Sequence, residues 1–349
     1  MKFKTSWLAA SGLLALATSF AHADCDMRSL ENRVAALECR KSGCGMINPP
    51  ARPVVNDCAA LTAFGDLLIW QANANGYPLA VYNPDGHQFT DSKIANLDFD
   101  YDLGFRVGLD LDMPHDGWDV SLTWLRFYTD AKSKVSSGNY IFQSQGHPGF
   151  TTDGFGSAHG KWKGKLNQLD LDLGREFFVS KWVTLRPHVG LRSTWLRQFF
   201  NTDYDFVSVP ERETHSKNKW WGLGVEGGLD TQWGLCYGFS FYGDIAAAIE
   251  YGFHKIRVTN TSASTTFLNV KESYRVSHPV LDLQLGLRWD QSFACDSFNI
   301  GIRAGWEHHT YFSQNQLPYF VDDIAEGLLV SNQGDLSYQG WTVGAHFSF

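Results

Sequence analysis

Residues 98–113 read DFDYDLGFRVGLDLDM, and every second residue of the run is apolar: Phe99, Tyr101, Leu103, Phe105, Val107, Leu109, Leu111 and Met113. Between them stand Asp98, Asp100, Asp102, Gly104, Arg106, Gly108, Asp110 and Asp112. A β-strand sends successive side chains to opposite faces, so one face here is wholly apolar and the other acidic or bare. At about 3.3 Å per residue the run reaches roughly 50 Å, twice the ~25 Å apolar band of an outer membrane. Strands of soluble sheets usually stop at ~5–6 residues. Strands tilted through a bilayer need ~9–11. The stretch predicts a membrane strand, apolar towards lipid and polar towards a lumen.

The same alternation recurs to the end of the chain. Leu169, Leu171 and Leu173 alternate with Asp170, Asp172 and Gly174. Leu281, Leu283, Leu285 and Leu287 oppose Asp282, Gln284, Gly286 and Arg288. The final strand sets Trp341, Val343, Ala345, Phe347 and Phe349 against Thr342, Gly344, His346 and Ser348. About ten strands are firm, and residues 253–276 hold room for two more. The expected fold is an all-β transmembrane antiparallel barrel of 10–12 strands over residues 61–349. An even count with both ends periplasmic suits a single-chain bacterial barrel. Closure satisfies every backbone group in lipid. Short connections near Pro114, Val179, Gly234 and Ala294 read as periplasmic turns, and the long ones as external loops.

Composition agrees. Hydrophobic residues make up 44% of the chain, aromatics 15%, and there are 33 glycines, yet past the N-terminus no apolar run of ~18 residues could form a spanning helix. A secreted β-sandwich is the rival, and the strand lengths oppose it. Residues 1–23 read as a signal peptide, with Lys2 and Lys4, an apolar centre, and Ala21-His22-Ala23 as the cleavage pattern. Losing those two lysines and no acids moves the net charge from −8 to −10, which argues against a nucleic-acid partner. The expected location is the outer membrane of a bacterium, with its lipid as the surrounding partner.

Residues 24–60 form a separate, cysteine-rich periplasmic segment. Met27, Leu30, Val34 and Leu37 are spaced as a short helical or coiled-coil seam, which a homotrimer or cystine links would support; a lone helix against the barrel base is the alternative. Cys25, Cys39, Cys44 and Cys58 fall here, and Cys236 and Cys295 in later turns. In an oxidising compartment these are candidates for disulfides. The lead has no C-x-x-C pair, so a metal site is not expected, nor any cofactor.

If the polar faces line a lumen, its residues include Asp98, Asp100, Asp102, Asp110, Asp170, Glu226, Asp244, Asp282 and Glu307, with Arg106, Arg186, Arg192, Arg288 and Arg303 as the bases. Carboxylates outnumber guanidiniums, and charge rings set selectivity. The reading is a water-filled, cation-preferring porin for passive diffusion of small solutes. The alternative is a plugged surface barrel acting as an adhesin or a disulfide-linked structural envelope protein. An enzyme is not expected. His308 and His309 are adjacent on a strand and face opposite ways, His188 stands near arginines only, and neither a nucleophile elbow nor an H-E-x-x-H motif is present.

Residues 65–80 (GDLLIWQANANGYPLA) and 104–130 (GFRVGLDLDMPHDGWDVSLTWLRFYTD) resemble the Legionella-type pore-forming outer-membrane proteins. They are similar also to porin-like major outer-membrane proteins of Chlamydia-related bacteria. The likeness runs from about Leu61 to Phe349. It implies a pore-forming β-barrel and supplies no catalytic or binding residues. The terminal Phe349 resembles the C-terminal signal by which barrels reach their insertion machinery. The cysteine-bearing lead is similar, more loosely, to disulfide-linked envelope proteins.

Overall fold

The computed structural model describes residues 59–84, 91–113, 116–145, 153–180, 182–294, 296–320, 328–331 and 334–349. The expected signal peptide and the expected coiled-coil seam, with Cys25, Cys39, Cys44, Cys58, Cys295, Pro114 and His115, lie outside the described residues. Ten long strands carry the fold: Ala60–Ala74 (β1), Tyr101–Asp112 (β2), Trp118–Gln143 (β3), Asp153–Arg175 (β4) and Val183–Phe206 (β5) come first. Arg212–Gly234 (β6), Phe239–Ser262 (β7), Thr265–Phe293 (β8), Phe298–Asn315 (β9) and Gly334–Ser348 (β10) complete the set. Each pairs antiparallel with its chain neighbours, and β1 pairs with both β2 and β10. The ring is therefore closed. Phe349 fastens the seam, exchanging two backbone hydrogen bonds with Leu61 at 2.8 and 3.0 Å.

The count settles at ten among the described residues. Residues 253–276 add no extra pair of strands; they are the upper arms of β7 and β8, joined through Ala263 and Ser264 with φ of 46° and 68°. That tight connection, and the short one at residues 207–211, lie at the end expected to carry only long loops. The strands themselves reach outward there. β3 to β8 run 23–29 residues, while β1, β2 and β10 run 12–15. One wall of the barrel is tall and the other short.

The outward face is apolar. Leu103, Leu109, Leu171, Val225, Ile249, Leu285 and Ile302 all stand exposed on it. Aromatic side chains bound this band. On β6, Trp221 and Trp233 are both exposed and twelve residues apart. That is about 40 Å along the strand and roughly 28 Å across a bilayer at a ~45° tilt, matching an outer-membrane apolar band. Trp306 and Trp341 meet edge to face at 5.4 Å on the neighbouring wall, as expected of amphipathic rings at an interface.

The run at residues 98–113 is not one strand. The ladder is interrupted at Asp100, and Phe99 turns inward, its ring edge-on to Trp162 at 5.4 Å. The Gln71 amide donates to the Phe99 carbonyl at 2.5 Å. An aromatic partner inside the barrel thus overrides the outward alternation at this point.

Candidate functional site: the barrel lumen

The inner wall is lined by two layers. The lower is ionic, built from residues that alternation places opposite the lipid-facing leucines. Asp66 on β1 takes Arg106 of β2 at 2.6 Å and Arg303 of β9 at 2.7 Å. Arg106 continues to Glu307 on β9 at 2.6 Å. His309 lies between Glu307 (3.0 Å) and Asp282 of β8 (2.7 Å). Asp282 meets Arg192 of β5 at 2.5 Å, and Arg192 also holds Asp170 (2.9 Å) and Glu226 (2.6 Å). One chain of charges thus crosses the lumen from β1 to β4. Two smaller groups sit nearer the end where the first and last strands meet at Leu61 and Phe349: Arg186 with Asp119 and Asp230, and Asp290 with Arg288 and His346. Buried charges of this kind persist only when paired and hydrogen-bonded.

The upper layer is aromatic. Trp70, Phe127, Trp162, Phe200, Tyr311 and Tyr338 are all at most 1% exposed. Trp70 sits on the boundary, 4.6 Å from the His309 ring and 5.5 Å from Phe127. Tyr311 on β9 donates to Gln168 on β4 at 2.5 Å. Those strands are five apart in a ring of ten, so this bond joins opposite walls. Above it, the connections between strands fold inward. Tyr77 donates to Gln198 at 2.8 Å and packs on Phe200, Leu79 and Leu317 are buried, and Tyr319 donates to the Gly76 carbonyl at 2.5 Å.

Glycine makes the layers fit. A Cβ at Gly344 would lie 1.8 Å from Asp66 Oδ1, and one at Gly222 would lie 2.3 Å from the Trp220 ring. The bare positions on the polar face are where neighbouring side chains lie flat against the wall.

Of the anticipated lumen residues, Arg106, Asp170, Arg186, Arg192, Glu226, Asp282, Arg288, Arg303 and Glu307 join these networks. Asp110 and Asp244 also face inward, level in register with Thr62 and Asp230. Asp98 and Asp100 do not line the lumen: the break at Asp100 leaves both exposed at the upper margin. Asp102 accepts the Asp130 backbone amide at 3.2 Å and stays outside the ionic chain. The lumen is also not a clear water-filled bore, because the aromatic layer and the inturned connections fill its upper half. Asp66 and Asp119 were not anticipated. His309 faces the lumen, whereas His308 faces outward and lies 2.9 Å from Thr310 Oγ1. Cys236 sits half-buried in the β6–β7 turn.

A closed ring of ten amphipathic strands, apolar outside and charged within, defines a bacterial outer-membrane β-barrel. The chain belongs to the family described as the Legionella pneumophila major outer membrane protein precursor, whose model matches residues 57–349. Among curated proteins no match is found. Similar solved structures include the outer membrane protease OmpT of Escherichia coli, at 10% identity with a TM-score of 0.45, covering 83% of this chain and 96% of that one. A major outer membrane protein of Thermus thermophilus is 12% identical with a TM-score of 0.27, over 83% and 99% of the two chains. A FadL homologue of Pseudomonas aeruginosa is 8% identical with a TM-score of 0.25, over 90% and 97%.

Proposed function

We propose that the protein is a porin-type barrel that prefers cations and is held shut by its aromatic layer. The observation that carries this reading is the charge imbalance on the inner wall. Asp66, Asp110, Asp119, Asp170, Asp172, Glu226, Asp230, Asp244, Glu250, Asp282, Asp290 and Glu307 face inward against Arg106, Arg186, Arg192, Arg288 and Arg303. That is twelve carboxylates to five guanidiniums. Even with His309 counted as a cation between Glu307 and Asp282, six carboxylates in excess need cations, protons or water in the lower lumen, and a ring of acids admits cations in preference to anions. A second reading is favoured by the bond between Tyr311 and Gln168 across the full bore: a permanently closed surface barrel serving adhesion or envelope structure. In that case solute passage is no part of the function.

Planar-bilayer recording of refolded protein under a salt gradient separates the two. The wild type is expected to stay closed for most of the record. A Trp70→Ala, Tyr338→Ala double variant is expected to give stepwise conductance with a cation-selective reversal potential. A folded, inserted double variant without steps would establish the closed surface barrel instead. Steps with anion preference would remove the role assigned to the carboxylates.

A further inference from the structure

We propose that the tall wall, β3 to β8, carries on its outward face a binding site for the multiply phosphorylated head group of an outer-leaflet glycolipid. The site begins where the apolar band ends. On β3, β5, β6 and β7 the first outward side chain above that band is a cation: Arg126, Arg197, Lys219 and Lys255. On β4 and β8 one polar residue intervenes before Lys165 and Arg275. At the same boundary β9, β10 and β1 carry His308, Gln339 and Gln71. A general attraction to an anionic surface would act all round a barrel. Here the cations occupy one arc.

Register places like charges face to face. Lys165 opposes Arg197, Arg197 opposes Lys219, and Lys219 opposes Lys255. One step higher, Lys217 opposes Arg257, which opposes Lys271. Like charges directly opposite on a sheet repel, and among the described residues none of these seven has a carboxylate within ion-pair distance. Asp130, on the same face, is taken by Lys132 at 3.9 Å. An anion lodged between the rows turns this repulsion into attraction. Four cations on adjacent strands span about 14 Å, a distance that a disaccharide phosphorylated at each end can bridge.

The surroundings suit a lipid. Directly below the cations lie exposed Trp195, Trp221 and Phe253, against which acyl chains can rest. Aromatic rings hold several cations in place: Lys217 over Phe199 at 5.3 Å and Arg275 over Phe253 at 4.5 Å. Above, a shallow depression of about 380 Å³ opens among Lys132, Lys134, His159, Lys161 and Asp203, with room for further sugar or phosphate. Burial and the neighbouring Glu213 push the Asp203 carboxyl above its usual range.

The test uses the full barrel in phosphatidylcholine nanodiscs, with thermal melting and native mass spectrometry as readouts. Diphosphoryl lipid A is expected to bind and to raise the melting temperature, with affinity falling steeply between 50 and 500 mM salt. Lipid A stripped of phosphate, phosphatidylglycerol and inorganic phosphate are each expected to act at least tenfold more weakly. The quadruple variant Lys165→Gln, Arg197→Gln, Lys219→Gln, Lys255→Gln should melt higher than wild type without lipid A, because the repulsion is gone. It should bind diphosphoryl lipid A at least tenfold more weakly. The double variant Lys219→Gln, Lys255→Gln should show both effects in smaller measure if the larger change impairs assembly. A control with Lys93→Gln and Arg175→Gln should bind as wild type does. Salt-independent binding, equal binding of the dephosphorylated lipid or of phosphatidylglycerol, or full binding by the quadruple variant would each overturn the proposal.

Discussion

The two layers of the lumen are made of the same strands, a few residues apart, and are held by opposite physics. In the lower layer a guanidinium is the common partner of several carboxylates, as Arg192 is of Asp170, Glu226 and Asp282. Its stability depends on pairing, because each ion has given up water. In the upper layer Trp70, Phe127 and Tyr338 hold together by ring contacts at 5.4–6.5 Å and by area removed from water. The lower layer therefore fails by losing a partner, and the upper by losing volume. That difference predicts which substitutions unfold the barrel and which open it.

The largest effect should come from Arg192→Met. The side chain is 4% exposed, and removing its charge leaves three carboxylates facing one another. Breaking a buried ion pair costs about 3–5 kcal/mol, and the shared partner puts this variant at the upper end. Urea unfolding in micelles would measure it. A midpoint equal to that of the wild type would mean that water already separates these charges. Trp70→Ala should cost about 3 kcal/mol through the cavity it leaves and should also allow ions to pass. If Arg192→Met conducts and Trp70→Ala does not, the assignment of the two layers is reversed.

Much of this was legible in the residues, and the failures have a common cause. Alternation locates the strands and gives the inward side of nine of the charged residues in the ionic networks, because leucine opposite aspartate tells which side meets lipid. It had no purchase on β1. There Leu67 and Ile69 point out while Leu68 and Trp70 point in, so both faces are apolar and Asp66 looked incidental. The same blindness concealed the aromatic layer, since an inward tryptophan and a girdle tryptophan are identical in sequence. The unbroken alternation of residues 98–113 puts Asp98 and Asp100 on the lumen face of the sequence pattern. Only the docking of Phe99 on Trp162 ends that alternation, and nothing local to the run encodes it. The count of ten lies within the expected range, and the further pair allowed at residues 253–276 is absent: in sequence, arms extending beyond the membrane resemble additional strands.

The finest discrimination between the layers rests on a single hydroxyl. Tyr311 belongs to the aromatic layer by its ring and to the polar lumen by its oxygen, which donates to Gln168 Oε1 at 2.5 Å. Gln168 in turn donates through Nε2 to Asp170 at 2.7 Å, an acid already held by Arg192. The hydroxyl is thus the link by which the aromatic layer is tied to the ionic one from across the bore. Tyr311→Phe keeps the ring packing and removes the link, which should cost about 1 kcal/mol. Gln168→Leu should cost a similar amount. Because each variant breaks the same bond, the double variant should cost less than the sum, and a double-mutant cycle reads the difference. Full additivity would mean that the layers are energetically independent, so that the plug could move without disturbing the charges beneath it. Coupling would mean that opening the aromatic layer also loosens Asp170 from its place beside Arg192, and the number of cations held below would then change with the state of the plug above.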